Sequence, residues 1–354
     1  MAFAHQVGGH AATILASPID ASTLIKPASA RELAFYTQIA PTLADGTFLG
    51  EWTPAFYGRL KLEGKIGQSD AVEKLDMAGD EEGELEPEML VLENLTYRFV
   101  RPNVLDIKLG TQLVDEDASE EKKARMTKAA AASTSGETGI RLTGFQVWDT
   151  ASQEYIPTAK PYGRSLKATE LPSGIARFFY PPLSSLSQAE KEALGVRSAP
   201  IASSSSFATS AISSATSATP APLPLDLLLP VLRTLLRQLD ELITVFSTLE
   251  IRMRGGSLLI VVEGDPSALE AALLRSMGDD DDDDSASVST TDGEGNAKPH
   301  TRLAYEMRLI DFAHTRAAPG EGPDEGVLKG LQTVKALLED LTRRLTEKQK
   351  GAEA

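Results

Sequence analysis

Residues 102–110 read PNVLDIKLG, a strand that is apolar at alternate positions and still carries an acid and a base. Side chains two apart on a strand point to the same face. Asp106 and Lys108 therefore share one side, while Leu105, Ile107 and Leu109 share the other. A chain built around such a strand must bury one face in a core and turn the other to solvent or to a polar cleft. The local pattern leaves both outcomes open: an ion pair of small energetic weight on a half-exposed strand, or a pair of working groups.

The neighbouring segments point to an α+β architecture. Short apolar runs around Gly8-Gly9 predict a strand–turn–strand over 5–26 that ends at Lys26-Pro27. Ser29 is placed to cap a helix from Ala28 to about Ile39. Strands follow at Tyr57–Gly64, Glu88–Leu95, Val104–Leu109 and Gly139–Val147. From Asp117 to about Ala131 the acids precede the bases, the order a helix dipole favours. Leu225 to about Leu249 has a leucine face at helical spacing. Ser257–Glu263 and Arg302–Phe312 read as strands, and Gly326–Leu345 as a closing helix.

Composition narrows the function classes. The chain has 354 residues, 42% of them hydrophobic, enough for a sizeable core. It has no cysteine, so disulfides and thiolate metal sites are excluded. The longest apolar run is interrupted by Asp226 and Pro230 and is too short to span a bilayer. The stretch MAFAHQVGGH lacks a basic region followed by an apolar core, so no signal peptide and no stable membrane anchoring are expected. The net charge of −16 is concentrated in two runs, Asp70–Glu88 and Asp279–Glu294, each contributing −8. The rest of the chain is close to neutral and leaves room for an anionic substrate. Without a net basic surface, direct binding to nucleic acid is not expected.

Other residues carry the chemistry. Lys26 ends a strand, Asp311 directly follows an apolar one, and Lys122, Lys123, Arg125 and Lys128 gather on one predicted helix. Taken singly, these also read as a surface lysine, a turn cap and a solvated helix face. Together with PxxxDxKxG at 102–110 they do not stand alone. Tyr162-Gly163-Arg164-Ser165-Leu166, GIARFF at 174–179, Ser257-Leu258-Leu259 and Ile310-Asp311-Phe312-Ala313-His314-Thr315 follow in order. The set resembles the inositol polyphosphate kinase family. DEDASEEKKARM after the signature and RLTGFQVW from Arg141 most resemble its fungal multikinases.

That resemblance implies a two-lobed kinase-like fold with ATP in the cleft. An antiparallel-sheet N-lobe would cover 1–95, with an acidic loop at 69–88. A mixed α/β C-lobe would cover 96–350, with an inositol-phosphate-binding segment at about 115–180, a Ser/Ala-rich insertion at 184–222 and an acidic loop at 278–298. It implies Lys26 on the ATP phosphates with Glu32 orienting it, and Glu93 and Leu95 at the hinge that reads adenine. Asp106 would lie at the ribose or the attacking hydroxyl, and Lys108 at the transferring phosphoryl group or a substrate phosphate. Asp311 would bind magnesium, assisted by Ser257. Lys122, Lys123, Arg125, Lys128, Lys160, Arg164 and His314 would bind the inositol phosphate. The implied activity is phosphorylation of inositol trisphosphate and tetrakisphosphate toward the pentakisphosphate. A dedicated trisphosphate 3-kinase, a hexakisphosphate kinase and a transcription-associated scaffold are the alternatives. The reading carries a nuclear and cytoplasmic monomer, with nuclear transcription-factor partners for its acidic loops.

The acidic runs and the Ser/Ala-rich insertion lack core-forming residues. A variant lacking 71–86, 184–220 and 279–295 is expected to fold and keep most of its turnover, read by circular dichroism and product formation. Lost activity in a folded deletion would place at least one of these segments at the site.

Overall fold

The computed structural model describes residues 3–8, 14–61, 88–115, 117–158, 160–181, 221–278 and 301–353. The two acidic runs and the Ser/Ala-rich insertion lie, apart from their edges, outside these residues.

The first sheet is antiparallel and four-stranded, built from β1 (Leu15–Ala16), β2 (Thr23–Pro27), β3 (Phe56–Lys61) and β4 (Glu88–Glu93) in the order β1-β2-β4-β3. Helix α1 (Ala30–Ala34) follows β2, and Ser29 caps it by accepting from Glu32 N–H. The helix predicted from Ala28 to Ile39 is shorter than expected, because Phe35–Ile39 winds into a π-helical turn. The wider turn sends consecutive aromatics inward. Phe35 stacks on Phe312 with ring centroids 3.9 Å apart, and Tyr36 packs against both Phe56 and Phe312.

The second sheet has five strands in the order β10-β9-β5-β6-β7, all neighbours antiparallel. They are β5 (Pro102–Leu109), β6 (Ile140–Asp149), β7 (Glu154–Thr158), β9 (Ser257–Glu263) and β10 (Tyr305–Ile310). Helix α2 (Glu120–Ala131) and the short α3 (Thr134–Thr138) lie between β5 and β6, and α4 (Lys160–Ser165) and α5 (Leu171–Phe179) follow β7. Helices α6 (Leu225–Phe246), α7 (Pro266–Gly278) and α8 (Glu325–Glu353) complete the chain, with β8 (Ile251–Met253) paired to β11 (Thr315–Ala317). The leucine face of α6 is fully buried at Leu228, Leu232, Leu235, Leu239 and Leu242, in one core with Leu105, Ile107 and Leu109. No helix among the described residues is long and apolar enough to cross a membrane.

Strand β5 is therefore central, not half-exposed: Asp106 is only 3% accessible. Its polar face is covered by the segment Phe3–Gly8, with Val7 on Val104 and Gly8 on Asp106. Two buried carboxylates fix the frame around it. Glu263, from β9, accepts the N–H groups of Val100, Arg101 and Asp265 at 2.6–2.9 Å, pinning the chain where it passes between the lobes. Asp324 pairs with Arg254 at 2.5 Å and accepts from Met253 N–H, fixing the start of α8.

Candidate active site

The site forms where β2, α1 and the end of β10 meet the polar face of β5. Lys26 Nζ lies 2.9 Å from Glu32 Oε1 and 2.6 Å from Asp311 Oδ1. Glu32 is buried and its Oε1 also accepts Phe312 N–H at 3.3 Å, so one carboxylate ties α1 to both. Burial opposes the charge on Lys26, but Asp311 and Glu32 outweigh it and raise the pKa above the ordinary lysine value. Burial pushes the Asp311 carboxyl up, and the adjacent Lys26 more than reverses this, holding it below the usual range. Asp311 has φ +65°, a left-handed conformation uncommon outside glycine, although aspartate tolerates it better than most. The Phe312–Phe35 stack holds that turn.

Along β5 the observed register sets Asp106 opposite Leu259 on β9 and Gly144 on β6. Lys108 lies opposite Ser257 and Arg141. A bulge between Asp106 and Ile107 shifts the pairing with β6. Burial raises the Asp106 pKa to about 6, with the negative charge of Asp311 adding to it and the Ser257 hydroxyl and Lys108 opposing. Its Oδ1 finds no hydrogen-bond partner among the described residues. Burial lowers the Lys108 pKa against the pull of Asp106 and Asp311, and its Nζ donates to Gly255 O at 2.7 Å.

The segment Phe3–Gly8 crosses this face as a strap. His5 Nδ1 meets Gln146 Nε2 at 2.7 Å, and its ring sits 5.3 Å from that of Tyr155. Val7 packs on Phe99, Val104 and Val261, an apolar floor that leads to Asp106. Approach is close enough to require glycine twice. A Cβ on Gly8 would lie 1.7 Å from Asp106 Oδ2, and one on Gly144 would lie 2.2 Å from Val7 O. Gly8 lies over the carboxylate of Asp106; Gly9 is outside the described residues.

At the hinge, Glu93 spends its side chain on Ala55 N–H (3.1 Å) and Asn94 N–H donates to Ser22 O (2.7 Å). Leu95 is buried, and its N–H has no acceptor among the described residues.

On the far side of Asp106, Lys108, Arg141, Lys160 and Arg164 gather. Arg141, Lys160 and Arg164 line a small cavity of about 20 Å³. Burial lowers the Arg141 pKa and Arg164 lowers it further, so the cluster is short of negative charge. Arg141 was not singled out by its residue pattern. The alternation of Ile140 and Leu142 with Arg141 and Thr143 is the signal that exposes it. Lys160 and Arg164 are brought together here beside Arg141. Lys122, Arg125 and Lys128 are exposed on α2, Lys123 pairs with Glu120 at 2.8 Å, and none of the four is drawn into the cluster. His314 is committed to Asp115, with Nδ1 2.6 Å from Oδ2.

A nucleotide and a divalent cation fit this arrangement. Lys26 supplies a fixed positive charge, and Asp106 Oδ1 is a buried acceptor left open. No cluster of three or more His, Asp or Glu side chains suited to a metal occurs among the described residues. A hard cation can be held by one or two carboxylates and completed by phosphate oxygens. Asp311, with Ser257 at the start of the neighbouring β9, would hold it. The electrostatics make a direct forecast: in carboxyl-detected NMR, Asp106 should titrate near pH 6, and Asp311→Asn should lower that value by removing the second cause of its rise. A value in the ordinary aspartate range in the wild type would contradict this geometry.

The inositol polyphosphate kinase family matches residues 89–196 and 225–339. The inositol polyphosphate multikinase of Saccharomyces cerevisiae is 32% identical, covering 93% of this chain and 95% of its own. Mouse inositol hexakisphosphate kinase 3 is 29% identical over 71% of this chain and 50% of its own length. The crystal structure of the S. cerevisiae inositol phosphate multikinase in complex with ADP and Mn2+ aligns with a TM-score of 0.57 at 27% identity. That alignment covers 90% of this chain and 98% of the other. The match runs through the strands that carry Asp106, Lys108, Arg141, Ser257 and Asp311, and the chain belongs to the inositol polyphosphate kinase family.

Proposed function

We propose that this chain is an ATP-dependent inositol polyphosphate multikinase, phosphorylating inositol trisphosphate and then the tetrakisphosphate toward the pentakisphosphate. The observation that carries this reading is the gathering of Lys108, Arg141, Lys160 and Arg164 beside one buried carboxylate, Asp106. Four cations against one acid suit a substrate bearing several phosphates. The near-complete two-way coverage of a fungal multikinase favours the multikinase over the hexakisphosphate kinase, whose match spans half of that protein.

The residues divide the work. Lys26, kept charged by Glu32 and Asp311, binds the ATP phosphates, and the Leu95 N–H with its neighbouring carbonyls reads the adenine edge. Asp311 with Ser257 would hold a magnesium ion, which would supply charge neutralisation on the transferring phosphates. Asp106, with a pKa of about 6, is mostly ionised at neutral pH and accepts the proton of the attacking hydroxyl at Oδ1. The new bond joins that hydroxyl oxygen to the terminal phosphorus of ATP, and the bond to the ADP oxygen breaks. Lys108 stabilises the charge that moves onto the phosphoryl group. Arg141, Lys160 and Arg164 orient the substrate phosphates. Nuclear and cytoplasmic residence, with basic nuclear partners for the acidic runs, belongs to the same proposal and is supported by their composition.

Purified protein incubated with ATP, magnesium and a panel of inositol phosphates should give tetrakis- and pentakisphosphate on anion-exchange chromatography. Absence of any product from the trisphosphate would overturn the reading. Asp311→Asn should keep the fold and lower turnover by on the order of 10²–10³ or more, the cost of losing one preorganised electrostatic contact. A folded variant with a near wild-type rate would remove Asp311 from the mechanism.

The exposed basic face of α2 is the second test. Neutralising Lys122 and Arg125 together should raise KM for every inositol phosphate and leave KM for ATP nearly unchanged. The wild-type KM should climb with ionic strength. Unchanged inositol phosphate KM values in the double variant would mark the run as a solvated face.

A further inference from the structure

Two ion pairs lie outside the catalytic machinery and link its halves. Arg31 Nη1 is 3.0 Å from Asp115 Oδ2, and Arg31 Nη2 is 3.0 Å from Asp117 Oδ2. The same Asp115 oxygen meets His314 Nδ1 at 2.6 Å. Arg31 is the residue beside Glu32 on α1, and Glu32 holds both Lys26 and Phe312 N–H. Asp115 and Asp117 belong to the loop that leads into α2, whose cap, Ser119, is two residues further on. The five-residue helix α1 thus touches the nucleotide lysine with one side chain and the root of the basic helix with the next.

The packing of α2 makes that root matter. Ala130 is its only buried residue, and a cavity of about 450 Å³ separates its Lys123 and Thr127 side from the Thr111–Asp115 loop. The helix is seated at its carboxyl end by Ala130, packed beside α3, and at its amino end by the loop 115–119. At that end, Arg31 is the link to the other lobe.

We propose that Arg31 and Asp115 are positioning residues that couple the two substrates. When α2 engages an inositol phosphate, Asp115 and Asp117 fix Arg31, α1 is held in place, and Glu32 keeps Lys26 and the Asp311 turn in register. Loading of the nucleotide acts back on α2 through the same contacts, as linkage requires. Asp115 also holds His314, so a single carboxylate sets the placement of α2 and of the segment after Asp311. The pairs are partly exposed, with the Arg31 side chain 37% and the Asp117 side chain 75% accessible. Their contribution to stability is accordingly small, and their removal leaves the fold intact.

This inference rests on the kinase reading above, and the test separates the two. Steady-state kinetics with inositol trisphosphate and ATP would be measured for the wild type, Arg31→Gln, Asp115→Asn, the double variant and Arg31→Lys, with thermal melting of each. Each single variant should raise KM for the trisphosphate about three- to fivefold, the range of one partly exposed ion pair, at an unchanged melting temperature. Binding of a non-hydrolysable ATP analogue should be strengthened by the trisphosphate in the wild type, and that strengthening should disappear in Arg31→Gln. Effects of the two singles should not add in the double variant, and Arg31→Lys should recover part of the loss. Additive effects, or unchanged coupling in Arg31→Gln, would overturn the inference while leaving the kinase reading in place. No turnover by the wild type would overturn the kinase reading and the inference with it.

Discussion

One half-buried ammonium holds this molecule in a working shape. Lys26 arrives on a strand of the first sheet, Glu32 on the helix that follows, and Asp311 from the end of the second sheet. A lysine drawn out of water is costly unless acceptors replace the solvent. Here the two acceptors come from opposite lobes, so the contacts that satisfy the lysine also tie the lobes together. Two carboxylates against one ammonium leave that end of the cleft with an excess of negative charge. The other end, with Lys108, Arg141, Lys160 and Arg164 against Asp106, has the opposite excess. A cation is drawn to the first and a polyanion to the second, and the transferring phosphoryl group belongs at the boundary.

That boundary is β5, and its burial gives Asp106 its chemistry. On an edge strand Asp106 would be an ordinary solvated acid. At the centre of a five-stranded sheet, with Gly8 lying on one oxygen, it is desolvated and its pKa stands near the range where a proton moves both ways. The α6 leucines and the second-sheet core do not touch substrate. They keep β5 central and so keep Asp106 out of water.

Much of this could be read from the chain before any coordinates. The shared face of Asp106 and Lys108 follows from a period of two, a purely local rule, and the family motifs carried Lys26 and Asp311. What stayed hidden depends on pairing between distant segments. Arg141 faces Lys108 only because β6 lies alongside β5 with a bulge at Asp106. The grip of Asp115 on Arg31 and His314 joins three segments far apart in sequence. The pairing of His314 with that carboxylate was equally out of reach of local rules. The π-turn at Phe35 replaced a predicted regular helix because two consecutive aromatics had to reach Phe312 and Phe56, a tertiary demand that helical spacing does not contain.

The strap formed by Phe3–Gly8 has a practical side. Phe3 stands against His5, which itself lies on Tyr155 and Gln146 above the cleft face of the second sheet. A load placed ahead of Phe3 acts on a strap whose Phe3 N–H is bonded to Ile14 O at 3.1 Å and whose other end, Gly8, covers Asp106. A partner joined after Glu353 extends the exposed end of α8. For producing, immobilising or labelling this enzyme, the carboxyl end is the handle that leaves the cleft undisturbed.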